Sequence, residues 1–315
     1  MRLDKGKINI LITGGLGFIG WNTAKAMLKD GNFNVNILDK KHTFYNDLEN
    51  PDIAIIDGTH TCDAAKKDPF AFYVDDGMEI EEADVVLHLG EFARVEQSLS
   101  GNFADVLEDN VVGTARLIQE YLKQAPNAVF IYAGSSTRFS RPNAYQQSPY
   151  AFSKYMNAEL IKHIGNWFNK RTFTTYFYNV FGGGENNDEI FGTVVGRFAD
   201  AYLKEQKITV YGGDQTRRFT YIGDVTKNMI RLIKTIMTKI NLPKSFHFVS
   251  RDTQEISINE LAKMFYDDEK MIVYKPPRAG CRAKSADNIA ITNPYGIYKT
   301  TVQDYVNQIK SFGEL

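Results

Sequence analysis

A tyrosine and a lysine at helical spacing are the residues of this chain best suited to moving a proton. Tyr150 and Lys154 lie in the run S-P-Y-A-F-S-K, residues 148–154, and on a helix they share one face. Pro149 suits the start of such a helix. A phenol is a poor base at neutral pH, but a neighbouring ammonium favours the phenolate. The pair therefore predicts proton exchange with a substrate hydroxyl, although Y-x-x-x-K alone is commonly an exposed helical pair.

Hydroxyl side chains follow the apolar strand that we predict at residues 129–133. Ser135, Ser136 and Thr137 stand there, and the carboxyl end of a parallel strand is where ligands bind. We expect Ser135 to hydrogen-bond the substrate hydroxyl that Tyr150 deprotonates, with Ser136 also facing the substrate. An ordinary Ser/Thr turn or helix cap is the alternative interpretation.

A glycine-rich turn lies between the first apolar strand and the first helical pattern. It reads T-G-G-L-G-F-I-G over residues 13–20, with three glycines spaced by three. Glycine is needed where the backbone takes a positive φ or closely approaches a phosphate. The helix that follows points its amides and the positive end of its dipole at a pyrophosphate. This context favours a dinucleotide site over a plain structural turn. The residues assigned to it are Gly14, Gly17, Phe18, Ile19 and Gly20.

An aspartate ends the second predicted strand. Asp39 comes nineteen residues after Gly20. A carboxylate there accepts both adenosine-ribose hydroxyls and repels a 2′-phosphate, which favours NAD over NADP. A strand-end turn aspartate is the alternative.

The first half of the chain alternates short apolar runs with helical patterns. This alternation predicts an α/β protein with a doubly wound parallel sheet of the Rossmann type. We place the dinucleotide-binding domain at residues 1–175, with a return near residues 219–250. Residues 176–315, where the rhythm changes, predict mainly a smaller mixed α/β substrate domain. The strands and longest helices on which this rests are predicted at residues 8–13, 34–38, 85–89, 129–133, 103–123 and 150–169.

Composition excludes several other classes of protein. The net charge of −1 provides no electrostatic attraction to nucleic acid or to a membrane surface. No apolar stretch is long enough to cross a bilayer. Cys62, Cys281 and the five histidines match no metal-ligand or redox spacing, so we expect no metal site. No signal-peptide pattern precedes the first strand, and we expect a cytoplasmic protein.

Taken in order, these motifs resemble the extended short-chain dehydrogenase/reductase family of nucleotide-sugar epimerases and dehydratases. The resemblance runs almost from end to end. Besides the glycine turn and the Tyr–Lys pair, it includes five further segments. They are D-V-V-L-H-L (residues 84–89), N-V-V-G-T (110–114), Y-N-V-F-G (178–182), the run at 208–225 and R-A-G (278–280).

The resemblance implies a role for each matching residue. Ser135, Tyr150 and Lys154 fall at the catalytic positions, and the last two would also contact NAD. Leu89, Gly90 and Asn110 fall along the cofactor. Asn179, Arg217 and Arg278 match residues that contact the sugar diphosphate, which suits arginine because its planar fork pairs with phosphate oxygens. A surface salt bridge is the alternative for each arginine. The resemblance also implies a homodimer and most commonly a UDP carrier.

Some residues depart from the family pattern. Glu91 stands where a small residue is usual, so it would contact the substrate or be neutralised by Arg94. Arg218 replaces an aspartate, and Arg138-Phe139-Ser140 replaces V-Y-G. The stretch between Ser135 and Tyr150 is short, which leaves the sugar specificity open.

The reaction favoured by the sequence is 4-epimerisation. The family's 4,6-dehydratases need an acidic pair after the catalytic serine or threonine, whereas this chain has Ser136 and Thr137. A 4-epimerase needs only that a transient 4-keto sugar turn over and take the same hydride back. The alternatives are a 4-ketoreductase, a decarboxylase, a 4,6-dehydratase, a 3,5-epimerase, a non-catalytic NAD-binding sensor and a structural subunit.

Overall fold

The computed structural model of the 315-residue chain describes residues 6–39, 53–57 (backbone only), 80–100, 103–139, 148–185, 192–249, 255–278 and 296–313. Cys62, Ser140, the Ala279-Gly280 pair and Cys281 lie outside these ranges. The chain divides into two compact units. The first unit comprises Met1–Phe92, Ala104–Gly134 and Met156–Thr175, and the second comprises Ala93–Phe103, Ser135–Tyr155 and Tyr176–Leu315.

Strands and helices alternate through the first half, as the sequence pattern predicts. The described strands are β1 (Ile8–Thr13), β2 (Phe33–Asp39), β3 (Ile53–Asp57), β4 (Val85–His88), β5 (Val129–Ser135), β6 (Thr172–Phe177), β7 (Val180–Phe181), β8 (Ile208–Tyr211), β9 (Thr216–Arg217), β10 (Thr220–Tyr221), β11 (Ser245–Phe248), β12 (Ile256–Ser257) and β13 (Ile272–Lys275). The described helices are α1 (Phe18–Asp30), α2 (Val95–Ser100), α3 (Phe103–Leu107), α4 (Gly113–Gln124), α5 (Pro149–Trp167), α6 (Val194–Leu203), α7 (Ile222–Thr238), α8 (Ile258–Phe265) and α9 (Val302–Phe312).

The first unit is built on a parallel sheet with the strand order β6-β5-β4-β1-β2-β3. The ladders of β1 with β2 and β4, of β2 with β3, and of β4 with β5 are all parallel. The order reverses between β1 and β4, which is the switch point where open α/β sheets bind ligands. The predicted α/β class with a doubly wound sheet is confirmed.

Side chains on both faces of this sheet are buried. On one face, α4 and α5 pack Leu117, Tyr121 and Ile161 against Leu11 and Phe130. The neighbours of Leu11 in β1 point to the other face and are also buried, as expected for a sheet with helices on both sides.

The second unit has a separate core around α6, α8 and α9. Phe181, Val195, Val210, Leu261 and Val306 are among its fully buried residues. Six of its described strands pair two by two, β8 with β13 and β7 with β10 in parallel, and β9 with β12 antiparallel.

Two places in the chain depart from regular structure. The helix predicted at residues 103–123 contains a π-helical segment, Glu108–Val112, between α3 and α4. Between β6 and β7, Asn179 has a φ of 34°, which lies outside the range of a β-strand, so the two strands are separate. Among the described residues, no helix is long and apolar enough to cross a membrane.

Candidate active site

The glycine-rich turn closely approaches the end of the neighbouring strand β4. Gly14 has a φ of 67°, and a Cβ on it would lie 2.6 Å from Gly90 Cα. A Cβ on Gly20 would run into the Gly14 carbonyl oxygen. The turn therefore accepts no side chain at Gly14 or Gly20, and backbone alone faces the carboxyl edge of the sheet. This is the bare-backbone cradle that a pyrophosphate requires.

Helix α1 starts directly at this turn. Gly17 is its N-cap, and Phe18 and Ile19 are its first residues. The amides of a first helical turn have no partner within the helix, so they can donate to an anion. The residues assigned to the phosphates are thus together in one unit.

Asp39 is held against the same turn. Its Oδ2 accepts the backbone N–H of Leu16 at 2.8 Å. The carboxylate at the end of β2 therefore lies beside the glycines, where an adenosine ribose would follow the pyrophosphate. Bare glycines, a helix N-terminus and a strand-end carboxylate together fit the adenosine half of NAD.

At the end of β4, the backbone and one side chain point in different directions. Leu89 donates its N–H to the Thr13 carbonyl at 3.0 Å, and Gly90 is exposed. The side chain of Glu91 is turned into the first unit and is 1% exposed. Its carboxylate accepts hydrogen bonds from Thr114 (2.8 Å), Asn157 (2.7 Å) and Tyr132 (3.0 Å).

Asn110, assigned to the cofactor by resemblance, lies in the π-helical segment and is fully buried. Its amide accepts the Phe92 N–H at 2.7 Å and donates to the Phe92 carbonyl at 3.0 Å. Asn110 thus holds the chain just beyond Gly90 in place.

The proton-transfer pair lies on the first half of α5, in the second unit. Tyr150 is 8% exposed and Lys154 is 6% exposed, so both are buried rather than an exposed helical pair. Ser148 starts the helix, because its Oγ accepts the Ala151 N–H at 3.1 Å. The Tyr150 amide also faces the Ser98 hydroxyl at 3.4 Å. A lysine this buried is uncommon unless it interacts with polar groups.

Two of the three hydroxyl residues at the end of β5, Ser135 and Thr137, are hydrogen-bonded to each other. Ser135 Oγ accepts the Thr137 N–H at 3.2 Å and lies 3.0 Å from the Thr137 hydroxyl. The Ser/Thr turn weighed for this segment is therefore present. Ser136 is buried, at 8% exposed.

Asn179 is held next to Arg217 by a side-chain hydrogen bond in the second unit. Asn179 Nδ2 donates to the carbonyl of Arg218 at 2.8 Å, next to Arg217. Arg217 pairs with Ile256 across the β9–β12 ladder. The side chain of Arg218 has a carboxylate neighbour, with Nε 3.5 Å from Glu255 Oε1.

Arg278 reaches the second unit's surface beside an aromatic ring and an acid. Its guanidinium lies 3.6 Å from the centre of the Tyr211 ring, and its NH1 is 3.1 Å from Glu96 Oε2. A hydrogen bond from Arg278 lowers the pKa of the Tyr211 hydroxyl. Arg278 is thus held in place by stacking on the ring and by the carboxylate.

Sequence reasoning missed two buried titratable groups in the second unit. Glu185 accepts the N–H of Gly182 and the hydroxyl of Thr193, and burial raises its pKa to about 7. His247 lies 2.8 Å from the Tyr178 hydroxyl, and burial lowers its pKa to about 4. A glutamate in a glycine-rich run looks like part of a solvated loop, so the sequence carried no signal for its burial. Among the described residues, no group of three or more His, Cys, Asp or Glu could hold a metal ion.

Comparison with known proteins places this geometry in a family context. Residues 10–242 match the profile described as the NAD dependent epimerase/dehydratase family. A putative UDP-glucose 4-epimerase of Methanocaldococcus jannaschii is 26% identical over 284 residues, covering 86% of this chain and 87% of that protein.

Solved structures show the same fold. A UDP-N-acetylglucosamine 4-epimerase from Methanobrevibacter ruminantium, in complex with UDP-N-acetylmuramic acid, has a TM-score of 0.76 at 20% identity, over 98% of this chain and 99% of that one. A UDP-glucuronic acid 4-epimerase from Bacillus cereus, in complex with UDP-glucuronic acid and NAD, has a TM-score of 0.75 at 19% identity, over 97% and 99%.

Proposed function

Because the chain belongs to the NAD-dependent epimerase/dehydratase family, with NAD as its cofactor, we propose that it is a nucleotide-sugar 4-epimerase. The proposed substrate is a UDP-hexose, which passes through a transient 4-keto sugar. The observation that carries the proposal is the buried pair Tyr150 and Lys154 on one face of α5. A UDP carrier is supported by the names of the relatives, which are UDP-sugar 4-epimerases.

In this proposal Tyr150 moves the proton of the sugar 4-hydroxyl. Lys154 lies one helical turn away on the same face of α5, beside the group that moves the proton. Ser135 holds the same hydroxyl in line with Tyr150, and Ser136 borders the sugar. When bound by the first unit, NAD would supply the hydride acceptor and donor that inversion at the sugar C4 requires.

The two units have separate tasks in the proposal. The first unit binds NAD through the glycine turn, the first residues of α1 and Asp39, with Leu89 and Gly90 along its nicotinamide half and the buried Asn110 holding the chain beyond them. The second unit binds the sugar nucleotide, with Asn179, Arg217 and Arg278 at the diphosphate. Paired charge-assisted hydrogen bonds from arginine suit a diphosphate.

Epimerisation is favoured over elimination by the side chains after β5. Ser136 and Thr137 are hydroxyls, and both are at most 8% exposed. Neither can act as the carboxylic acid and carboxylate pair that removal of water from a 4-keto sugar needs. The hydroxyls suffice to hold a sugar that turns over and takes back a hydride.

The test is incubation of the purified protein with UDP-glucose or UDP-N-acetylglucosamine in deuterated water, without added reductant, followed by proton NMR. The galacto partner with no deuterium at carbon is the expected product, because the hydride is returned rather than exchanged. Deuterium at C3 or C5 would identify a 3,5-epimerase instead. No product with either sugar, together with NADH consumption in the presence of a 4-keto sugar, would identify a reductase and contradict the proposal.

We also propose that the protein is a cytoplasmic homodimer. Helix α5 exposes Phe152 (40%) and Met156 (38%), and α3 exposes Phe103 (60%), all large apolar side chains. Covering them against a second copy would remove apolar surface from water. Sedimentation or light scattering at several protein concentrations tests the dimer, and a monomer at all concentrations would contradict it.

A further inference from the structure

Glu91 has an unusual position for a buried acid. It follows the exposed Gly90, whose backbone touches the glycine turn, yet its side chain is 1% exposed. Thr114 of α4 and Asn157 of α5 donate to Oε1, at 2.8 and 2.7 Å, and Tyr132 of β5 donates to Oε2 at 3.0 Å. One carboxylate thus connects β5 and two helices to the end of β4.

A line of hydrogen bonds leads from Glu91 back to the turn. Since a carboxylate only accepts, the Thr114 hydroxyl donates to Glu91 and must itself accept, and His88 Nε2 lies 2.8 Å away. His88 Nδ1 is 2.6 Å from the Thr13 hydroxyl, and Thr13 Oγ1 accepts the Gly90 N–H at 3.3 Å. With the ring proton on Nε2, each donor in this line has one acceptor.

Asn157 connects Glu91 to the helix that carries the proton-transfer pair. Asn157 is fully buried, and its Nδ2 donates both to Glu91 and to the Asn110 carbonyl, each at 2.7 Å. The amide cannot be turned over, because its oxygen would then face two acceptors. Lys154 and Tyr150 precede Asn157 by three and seven residues, so all three lie on one face of α5.

We propose that Glu91 is a positioning residue that fixes the rotation of α5 about its axis, and thereby the direction of Tyr150 and Lys154, by holding Asn157. The inference rests on the roles proposed above for Tyr150 and Lys154. Productive proton transfer tolerates errors of only about 10–20° in the direction of a catalytic group. A helix rotated by loss of the anchor keeps its catalytic residues but presents the phenol in the wrong direction.

The first test follows the orientation of the Tyr150 side chain by fluorine NMR and requires no turnover. Fluorotyrosine is incorporated at position 150 of the NAD-loaded full-length protein, and its fluorine resonance is recorded far below the unfolding temperature. Glu91→Ala removes the acceptor and should displace the resonance by more than its line width. Glu91→Gln keeps an oxygen for Asn157 and should restore the original position. Asn157→Ala breaks the same contact from the helix side and should reproduce Glu91→Ala, which keeps the test available if Glu91→Ala does not fold.

The matched control is Glu120→Ala, which removes an acid of α4 whose partners, Lys123 and Gln124, lie on the same helix. If Glu91→Ala and Asn157→Ala move the resonance no further than this control does, the proposal is wrong. A resonance displaced equally in Glu91→Gln and Glu91→Ala would also contradict it, because the acceptor for Asn157 is retained in the glutamine variant.

A second test uses the proposed epimerase assay. Glu91→Ala should lower kcat by about tenfold to a hundredfold, the cost of misplacing a reacting group, with KM for the sugar nucleotide unchanged. In a Tyr150→Phe background the same change should have no further effect on kcat. If Glu91→Ala and Tyr150→Phe instead lower kcat independently, so that their effects multiply in the double variant, the proposal is wrong. The fluorine measurement is unaffected if no sugar is turned over, so failure of the epimerase proposal and failure of this inference are distinguishable.

Discussion

Gly90 lies so close to Gly14 that a Cβ on Gly14 would be 2.6 Å from both Gly90 Cα and Gly90 N. The two residues come from the ends of adjacent parallel strands, on the two sides of the switch point in the sheet. Their contact leaves only backbone at the place where the pyrophosphate of NAD is proposed to bind.

Gly14→Ala is therefore expected to abolish NAD binding. A methyl group there must displace the end of β4, and alanine is also strained at a φ of 67°. The matched control is Gly31→Ala, at a φ of 78° with no atom within 4 Å of a new Cβ. The control should lose about 1 kcal/mol of stability and keep NAD. NAD content and thermal unfolding of both variants check this, and equal NAD loss in the two would contradict it.

Tyr150→Phe should reduce kcat at least about a hundredfold while leaving bound NAD unchanged, because the ring stays and only the proton carrier is lost. The control is Tyr155→Phe on the same helix, whose ring still faces the guanidinium of Arg138 at 4.8 Å. Turnover by NMR and NAD released on denaturation measure the two effects. Full turnover in Tyr150→Phe would remove Tyr150 from the mechanism.

The sequence predicted those parts of the site that depend on local pattern. The glycine turn, the helix that starts at Phe18 and the shared face of Tyr150 and Lys154 follow from spacing over a few residues. The position of Asp39 at the end of a strand was also predicted, but its contact with the Leu16 N–H was not.

The remaining features depend on contacts between distant residues, which spacing does not encode. Arg278 and Glu96 are 182 residues apart, and Tyr178 and His247 are 69 apart. The inward direction of Glu91 needed partners from β5, α4 and α5. A single chain shows which residues are polar, but not which polar groups are buried together.

The pair Arg278–Glu96 leads to a prediction for diphosphate binding. Since Glu96 lies 3.1 Å from the guanidinium and is 44% exposed, Glu96→Gln should release Arg278 and tighten UDP binding modestly, by up to about fivefold, as expected for a solvent-exposed ion pair. Arg278→Met should weaken binding. Calorimetry with UDP measures both, and Glu108→Gln, which breaks the surface pair with Arg116, is the control. Weaker binding in Glu96→Gln would show that Glu96 supports the site rather than competes for Arg278.

His247 should make the protein sensitive to acid. Burial lowers its pKa from 6.5 to about 4, so the unfolded chain binds a proton more readily than the folded one. The stability that its neutral form contributes is present above pH 6.5 and is lost as the pH falls through 4. The loss is about 3 kcal/mol, from the size of the shift. His247→Asn should flatten this slope in urea unfolding curves taken across that range. If the free energy of unfolding of His247→Asn depends on pH as that of the unmodified protein does, His247 is not the source of the acid sensitivity.

Glu185 should have the opposite effect. Burial raises its pKa from 4.5 to about 7, so between these values the folded state binds the proton and the unfolded state does not. The stability contributed by the protonated group is therefore complete below pH 4.5 and is lost as the pH rises through 7, by about 3 kcal/mol. Between pH 4.5 and 6.5 this slope offsets that of His247, so the free energy of unfolding of the unmodified protein should vary little with pH in that window.

Glu185→Gln is neutral at every pH. In this variant the free energy of unfolding should rise with pH because of His247, and its fall near pH 7 should be absent. The exposed Glu269→Gln, at a side chain 76% exposed, is the control and should leave the profile unchanged. A profile of Glu185→Gln that coincides with that of the control would show that Glu185 keeps an ordinary pKa in the folded protein.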